Sequence, residues 1–289
     1  MSPSSGRCEP MAETAVLQGR AGTSITAADF DRLRRFFEAA SGIRLADHKR
    51  ELVCGRLAKR LRERGVDGYG AYLRLIELPA ETAERQMAID LLTTNETHFF
   101  REPRHFEVLR AELAERLARG QSSGIRVWSA ACSTGEEPYS LAMTLDEVLG
   151  RRPWRVFASD LSQRVLADAR RGVFSAQRAA EVPRPMALKY LLEGTQEYAG
   201  TFLVDAEVRQ RVDFAQVNLM AMPAGLGPFD VVFLRNVLIY FDVAAKRRIV
   251  QAVLQRMAPG GLLFVGHSES LNGVVDGLRT VVPTVYRKP

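Results

Sequence analysis

Trp128-Ser-Ala-Ala-Cys-Ser-Thr-Gly-Glu-Glu-Pro-Tyr139 joins a short apolar run, 125–130, to a helical pattern over 136–149. A run of small residues between a strand and a helix lets a ligand approach the backbone closely, at the carboxyl edge of a sheet. The run is not G-x-G-x-x-G, so a dinucleotide carrying a pyrophosphate is disfavoured. Glu136 and Glu137 fall in the first helical turn, where acids complement the helix dipole whatever else they do. Two acids there also repel a phosphate and welcome a ligand that bears an ammonium group.

Downstream of this turn, strands and helices alternate. A strand is expected at 155–159, a helix at 161–171, a strand at 229–234, a capped helix at 242–257 and a strand at 261–266. Such alternation predicts a parallel, doubly wound sheet. The segment 189–217 breaks the rhythm. Short strands at 198–204 and 208–214, set off by Gly200, suggest a small antiparallel insertion, and 280–287 reads as a last strand.

Upstream the pattern is helical. Thr26 and Asp29 form a capping box ahead of Phe30, Leu33, Phe36 and Phe37, and Gly42 is a natural stop. Further helices are expected at 47–64, 69–76 and 82–92, and another opens at Glu102-Pro103 and runs to about Arg119. The chain therefore divides into a mobile tail (1–23), a helical N-terminal domain (24–92), a linker with a connecting helix (93–122) and an alternating α/β domain (123–289) carrying the insertion.

At 289 residues, with 46% hydrophobic and 26% charged side chains, the chain suits one large globular domain or two of ordinary size. Cys8, Cys54 and Cys132 lie far apart, which excludes a disulfide scaffold and a Cys-based zinc site and fits a reducing cytoplasm. No stretch is long and apolar enough to span a membrane. The net charge of +6 invites a nucleic-acid hypothesis, but the charge is local. Between Arg44 and Arg64 eight basic residues face three acids, and eight minus three is +5. On the helix 47–64, Lys49, Arg56 and Arg60 share a face beside the apolar stripe Val53, Leu57, Leu61. That face is either a solvated helix surface or a docking surface for something acidic.

Asp160 ends the second expected strand, 25 residues after Gly135. An acid at that tip commonly accepts hydrogen bonds from ribose hydroxyls, although it can also serve as a helix cap. A small-residue turn, an early-helix acid and a strand-two acid together indicate a nucleoside with a positive charge and no phosphate. S-adenosylmethionine fits that description. The reaction edge, Leu234-Arg-Asn-Val-Leu-Ile-Tyr-Phe241, lacks the Asn/Asp-Pro-Pro-aromatic run expected of a nucleic-acid amino-methylase. No His/Asp couple stands out either.

Five segments, taken in order, resemble the CheR-type chemotaxis receptor methyltransferases: Thr93-Thr-Asn-Glu-Thr-His-Phe-Phe-Arg-Glu102, Trp128 to Tyr139, Phe157-Ala-Ser-Asp160, Arg235-Asn-Val-Leu-Ile-Tyr-Phe241 and Gly266-His-Ser-Glu269. The resemblance implies an α/β, Rossmann-like doubly wound methyltransferase sheet with a small antiparallel β insertion, preceded by an all-helical N-terminal domain. It implies a cytoplasmic, monomeric, S-adenosylmethionine-dependent protein-glutamate O-methyltransferase acting on bacterial chemoreceptors. A non-catalytic S-adenosylmethionine-binding signalling module is the alternative. By motif, the cofactor-binding positions are Asn95, Thr97, Arg101, Glu137, Asp160, Asn218, Leu219, Arg235 and Asn236; Arg56, Arg101 and Tyr240 match positions tied to substrate or catalysis. No metal is implied. Expected partners are acidic receptor helices, docked by the basic helix 47–64, with no nucleic acid and no membrane insertion. A receptor C-terminal tether peptide at the insertion is a further possible partner. Gly194-Thr-Gln-Glu-Tyr-Ala-Gly200 departs there from the more glycine-rich loop of relatives that bind one.

Overall fold

A computed structural model describes residues 24–120 and 124–289. The tail expected over 1–23, with its Cys8, lies outside the described residues.

The helical part begins with α1 (Ala27–Ser41). Thr26 Oγ1 accepts the Asp29 amide at 3.1 Å and donates to the Asp29 carboxylate at 2.8 Å, which satisfies one of the orphan amides of the first turn. Gly42 ends the helix at φ 77°, and a Cβ there would lie 2.4 Å from Met220 Cγ. The glycine thus serves both the turn and the close approach of the catalytic domain. A single 3-10 turn, Asp47–Lys49, precedes α2 (Arg50–Glu63), and α3 (Tyr69–Glu77) and α4 (Thr82–Leu92) follow. Phe30, Leu33, Phe37, Val53, Leu57, Tyr72, Leu73 and Ile76 form their shared core. Each large apolar side chain buried there stabilises the fold by about 1.5–3 kcal/mol. Then comes α5 (Pro103–Ala118).

The rest of the chain carries ten strands and six helices among the described residues: β1 (Ile125–Ala130), α6 (Glu136–Leu149), β2 (Trp154–Asp160), α7 (Gln163–Arg171), β3 (Val173–Ser175), α8 (Ala176–Ala179), α9 (Arg184–Tyr190), β4 (Leu191–Glu193), β5 (Thr201–Val204), α10 (Ala206–Arg209), β6 (Val212–Gln216), β7 (Phe229–Leu234), α11 (Val243–Gln255), β8 (Met257–Val265), β9 (Arg279–Val282) and β10 (Val285–Arg287). The main sheet has the order β6-β2-β1-β7-β8-β10-β9. β6 to β8 are mutually parallel along that order, and β10 returns antiparallel to β8. β1 sits between β2 and β7, so the strand order reverses there. Open α/β sheets place their ligand crevice at such a point, beyond the carboxyl ends of the strands.

Two expectations need correction. The strand expected at 208–214 does not belong to the insertion. It starts at Val212 and pairs parallel with β2, from Val156↔Val212 to Asp160↔Gln216, so it is an edge strand of the main sheet. The small sheet is built instead from β3, β5 and β4, which moves the insertion to 173–204 rather than 189–217. An alternating apolar strand looks the same in either sheet, because periodicity carries no partner information. The last strand is also interrupted. Pro283 cannot donate to a ladder, and Thr284 turns at φ 67°, giving the β9–β10 hairpin.

The two domains are knitted together. Asp90 on α4 is buried and accepts the first amides of α7, Gln163 N at 3.1 Å and Arg164 N at 3.2 Å. Asn218 Nδ2 donates to Ala40 O at 2.9 Å, and Gln86 Nε2 donates to Leu161 O at 3.2 Å. Among the described residues no helix is long and apolar enough to cross a membrane.

Candidate active site

A cavity of about 240 Å³ opens at the reversal point, between the carboxyl ends of β1, β2 and β7 and the helical domain. Asn95, Thr97, Arg101, Glu137, Asp160, Asn218, Leu219, Arg235 and Asn236 all line it, and so do Arg56 and Tyr240. These residues span 185 positions of sequence, from 56 to 240, and the fold brings every one of them to a single space.

The turn after β1 is over-determined. Ala131 and Ser133 hold positive φ, 73° and 49°, a conformation that costs non-glycine residues of order 1–3 kcal/mol each. Hydrogen bonds keep them there: Ala131 N and Cys132 N both donate to Ser159 O at 2.8 Å, Ser133 N to Asp160 Oδ2 at 2.9 Å and Ser133 Oγ to Asn95 O at 2.8 Å. Gly135 follows at φ 103°, and a Cβ on it would sit 3.0 Å from Ala169 Cβ. Only glycine fits.

Asp160 is buried at the tip of β2. Its oxygens accept the Ser133 and Ser162 amides, yet burial outweighs those bonds and raises its carboxyl pKa above the ordinary value. α7 is capped by Ser162, whose Oγ accepts Val165 N, and not by Asp160. Each carboxylate oxygen can accept more than one donor, so Asp160 retains acceptor capacity toward the cavity. An unspent, buried acceptor beside a tight small-residue turn fits the hydroxyls of a nucleoside.

The two turn acids separate. Glu137 lines the cavity and bonds Ser129 Oγ at 2.7 Å and Arg235 Nε at 2.8 Å. Glu136 is fully buried outside the cavity lining, and burial raises its pKa. Glu136 is therefore not a free anion facing the cavity, contrary to the expectation for both turn acids.

Arg235 is held too firmly to reach out to a substrate carboxylate. Its side chain is 1% exposed and lies between the Phe106 and Phe233 rings at 5.6 and 5.3 Å. It donates to Glu137, to Arg101 O at 2.7 Å and to Glu102 Oε2 at 3.4 Å, and it faces His105 Nδ1 at 3.0 Å. A guanidinium so engaged is a wall, not an arm. Arg101 is the less constrained candidate. It is partly exposed, its guanidinium donates only to Glu96 O at 3.2 Å, and among the described residues it has no carboxylate partner.

His105 follows from Arg235. Its Nδ1 is placed to accept the guanidinium proton and its Nε2 to donate to Thr284 Oγ1 at 2.8 Å, a tautomer assigned from the network. Burial, helped by Arg235, lowers its pKa to about 4. Glu102, His105 and His267 come close enough to resemble a metal site. The His105 Nδ1 lone pair is already used, however, and a guanidinium at 3.0 Å opposes a cation. The trio is better described as the hydrogen-bonded setting of Arg235.

The profile described as CheR methyltransferase, SAM binding domain, matches residues 95–286, and the CheR methyltransferase all-alpha domain matches 28–93. The chain belongs to the CheR methyltransferase family. It is 41% identical over 281 residues to a chemotaxis protein methyltransferase of Salmonella typhimurium and 42% identical over 281 residues to one of Escherichia coli. Each alignment covers 96% of both chains. A further relative, from Klebsiella aerogenes, is 42% identical over 90% of this chain and 89% of its own. The protein is thus an S-adenosylmethionine-dependent methyltransferase of the chemotaxis class, and the cavity at the sheet reversal is where its residues suit that cofactor.

In this CheR-family enzyme the reaction loop after β7 is held by an acid that sequence reasoning had only quoted within a motif. Glu269 is buried and accepts Gly266 N at 2.7 Å, Asn236 N at 2.8 Å and Ile239 N at 3.2 Å. It staples the loop on which Asn236 stands at φ 56° and Tyr240 faces the cavity. Burial raises the Tyr240 pKa, so its hydroxyl is a neutral donor at physiological pH. Glu102 was likewise missed, apart from its place ahead of Pro103. It accepts His267 N at 3.1 Å and Asn236 Nδ2 at 3.3 Å.

The helical wall is built differently. Arg56 donates to Leu92 O and Thr93 O, both at 3.0 Å, and so caps the C-terminus of α4 from α2. Arg60 pairs with Glu84 and Glu63, and Arg64 with Glu81 and Glu84. Part of the local +5 is therefore neutralised by α4. Lys49 at the cavity rim and exposed Arg62 have no carboxylate partner among the described residues.

Proposed function

We propose that the protein methylates glutamate side chains of bacterial chemoreceptors, giving glutamyl methyl esters in chemotactic adaptation. The observation that carries this reading is the composition of the cavity's reactive end. It presents the unpaired guanidinium of Arg101 and the neutral hydroxyl of Tyr240, and no histidine lines it. A glutamate, with an ordinary pKa of about 4.3, arrives ionised and needs no base. Bound S-adenosylmethionine supplies an electrophilic methyl group on a sulfonium. Asp160 receives ribose hydroxyls, the Arg235–Glu137 pair walls the site, and Asn95, Thr97, Asn218, Leu219 and Asn236 complete its lining.

Arg101 orients the incoming carboxylate and helps close the pocket. Too firm a grip would stabilise the ground-state charge more than the transition state, so a single partly exposed arginine suits the task. Tyr240 donates to the carboxylate oxygen that does not react. Orientation of this kind contributes up to about 10 kcal/mol to a displacement.

The partners we propose are acidic receptor helices lying along α2, drawn by Lys49, Arg62 and Arg56. A receptor tether peptide on the inserted sheet is supported by the exposed apolar side chains Val173, Leu188, Leu192 and Tyr198 and by the open edge of β4. We place the enzyme in the cytoplasm as a monomer. Incubation with methyl-labelled cofactor and receptor-bearing membranes tests the proposal. Base-labile label on receptor glutamates is expected. Cofactor binding without transfer would make the protein a non-catalytic module, and base-stable label in nucleic acid would overturn the substrate class.

A further inference from the structure

Glu136 is the acid of the cofactor turn that the cavity leaves unused. It is fully buried, and its Oε2 accepts the Thr134 hydroxyl at 2.7 Å. Its Oε1 accepts Arg178 NH1 at 2.6 Å, and the same NH1 donates to Thr134 Oγ1 at 3.0 Å. The three side chains form a closed triangle around the first residues of α6. A carboxylate this deeply buried is strongly disfavoured without its cation, so the position of Arg178 dictates that of Glu136. His98 is the other titratable group felt by Glu136.

Arg178 does not come from the cofactor-binding framework. It stands on α8, directly after β3, the first strand of the inserted sheet, and its side chain is 47% exposed. The same strand makes a second connection. Phe174 packs edge-on against Phe99 at 4.8 Å and against Tyr139 at 6.0 Å. Phe99 belongs to the stretch that carries Asn95, Thr97 and Arg101, and Tyr139 to α6. The insertion therefore grips both sides of the cofactor pocket without lining it.

We propose that Arg178 is a positioning residue for S-adenosylmethionine: acting through Glu136 and Thr134, it sets the geometry of the cofactor turn from the inserted sheet. This rests on cofactor binding alone, so it can fail while the receptor assignment survives, and the reverse. Partners on the outer face of the insertion and the cofactor inside the cavity would then act on one element, and any coupling between them must be reciprocal.

The test is calorimetric titration of the full chain with S-adenosylhomocysteine. Arg178→Ala should weaken binding by about 10–100-fold, the size of effect seen when an outer partner is lost at metal sites. Arg178→Lys, which keeps the charge but not the fork, should recover part of that loss. Glu136→Gln should weaken binding too, and the double variant should lose no more than about twofold beyond the worse single variant, since both act as one unit. Affinity within twofold of the unmodified protein in Arg178→Ala would overturn the proposal. So would multiplying effects in the double variant, or a Lys variant no better than Ala. If Arg178→Ala does not fold, Arg178→Lys and Thr134→Val carry the test, and unchanged affinity in both overturns it.

Discussion

On the catalytic side of the cavity, five non-glycine residues, Phe100, Glu102, Ala131, Ser133 and Asn236, stand at positive φ, and the charges behind them are buried and mutually paired. On the helical side, Arg56, Lys49 and Leu52 project from regular helix or a single 3-10 turn, and two of the three are exposed. The first wall is held by backbone strain that many hydrogen bonds over-determine, and the second by side chains on an unstrained scaffold. Groups that must meet a reacting centre within fractions of an ångström are placed by the rigid construction. On the helical wall Lys49 and Leu52 are exposed, whereas Arg56 is tied to the end of α4.

The largest way to break this contrast is Arg235→Met. Removing one member of a buried ionic network leaves Glu137 and Glu102 uncompensated, at about 3–5 kcal/mol of folding stability. Urea denaturation measures it, and a loss below 1 kcal/mol would mean that the network is wet. The same wall should titrate. His105 folds with its pKa depressed to about 4, against about 6.5 unfolded, so its contribution is intact above pH 6.5 and is lost as pH falls toward 4. The loss reaches about 3 kcal/mol, and His105→Gln should flatten that limb of the stability curve. Asp160→Ala comes next, with S-adenosylhomocysteine affinity about 100-fold weaker by calorimetry, because the Ser133 and Ser162 amides and the ribose all lose an acceptor. An unchanged affinity would place the ribose elsewhere.

Effects should shrink toward the open wall. Tyr240→Phe is expected to lower kcat about 10-fold with cofactor affinity preserved, one lost hydrogen bond being worth about 1 kcal/mol. Equal losses in both would assign Tyr240 a structural role. The smallest effect belongs to Lys49→Glu with Arg62→Glu: a few-fold fall in kcat/KM for receptor and a flatter dependence on salt, with melting temperature unmoved. Arg56 and Arg60 are unsuitable for this test, since one caps α4 and the other pairs with Glu84.

Features that depend on neighbours in sequence were legible. The capping box at Thr26, β1 at Ile125–Ala130 and β7 at Phe229–Leu234 all follow from local pattern. The cavity-lining residues came from the family resemblance, motif by motif, and those at strand tips converge because the parallel sheet reverses there. What failed depended on distant partners. β6 was misplaced because its mate is β2, more than fifty residues earlier. The charge of α2 was overcounted because Glu81 and Glu84 stand at the start of α4, and the pairing of Arg235 stayed hidden because Glu137 lies 98 positions away. No residue-by-residue reading predicts that His105 meets Thr284 across 179 positions.

Asp90 bears on how such a protein can be taken apart. Its carboxylate supplies, from the helical half, the acceptors for the first two amides of α7, the helix that begins just beyond Asp160. A catalytic half cut free near residue 94 would therefore carry a frayed α7 start against the very strand tip that bears Asp160. Grafting a foreign helical half would have to bring an acid to that spot as well as a matching surface. The two halves read as separable modules along the chain, but their shared helix start makes them one unit for recombination.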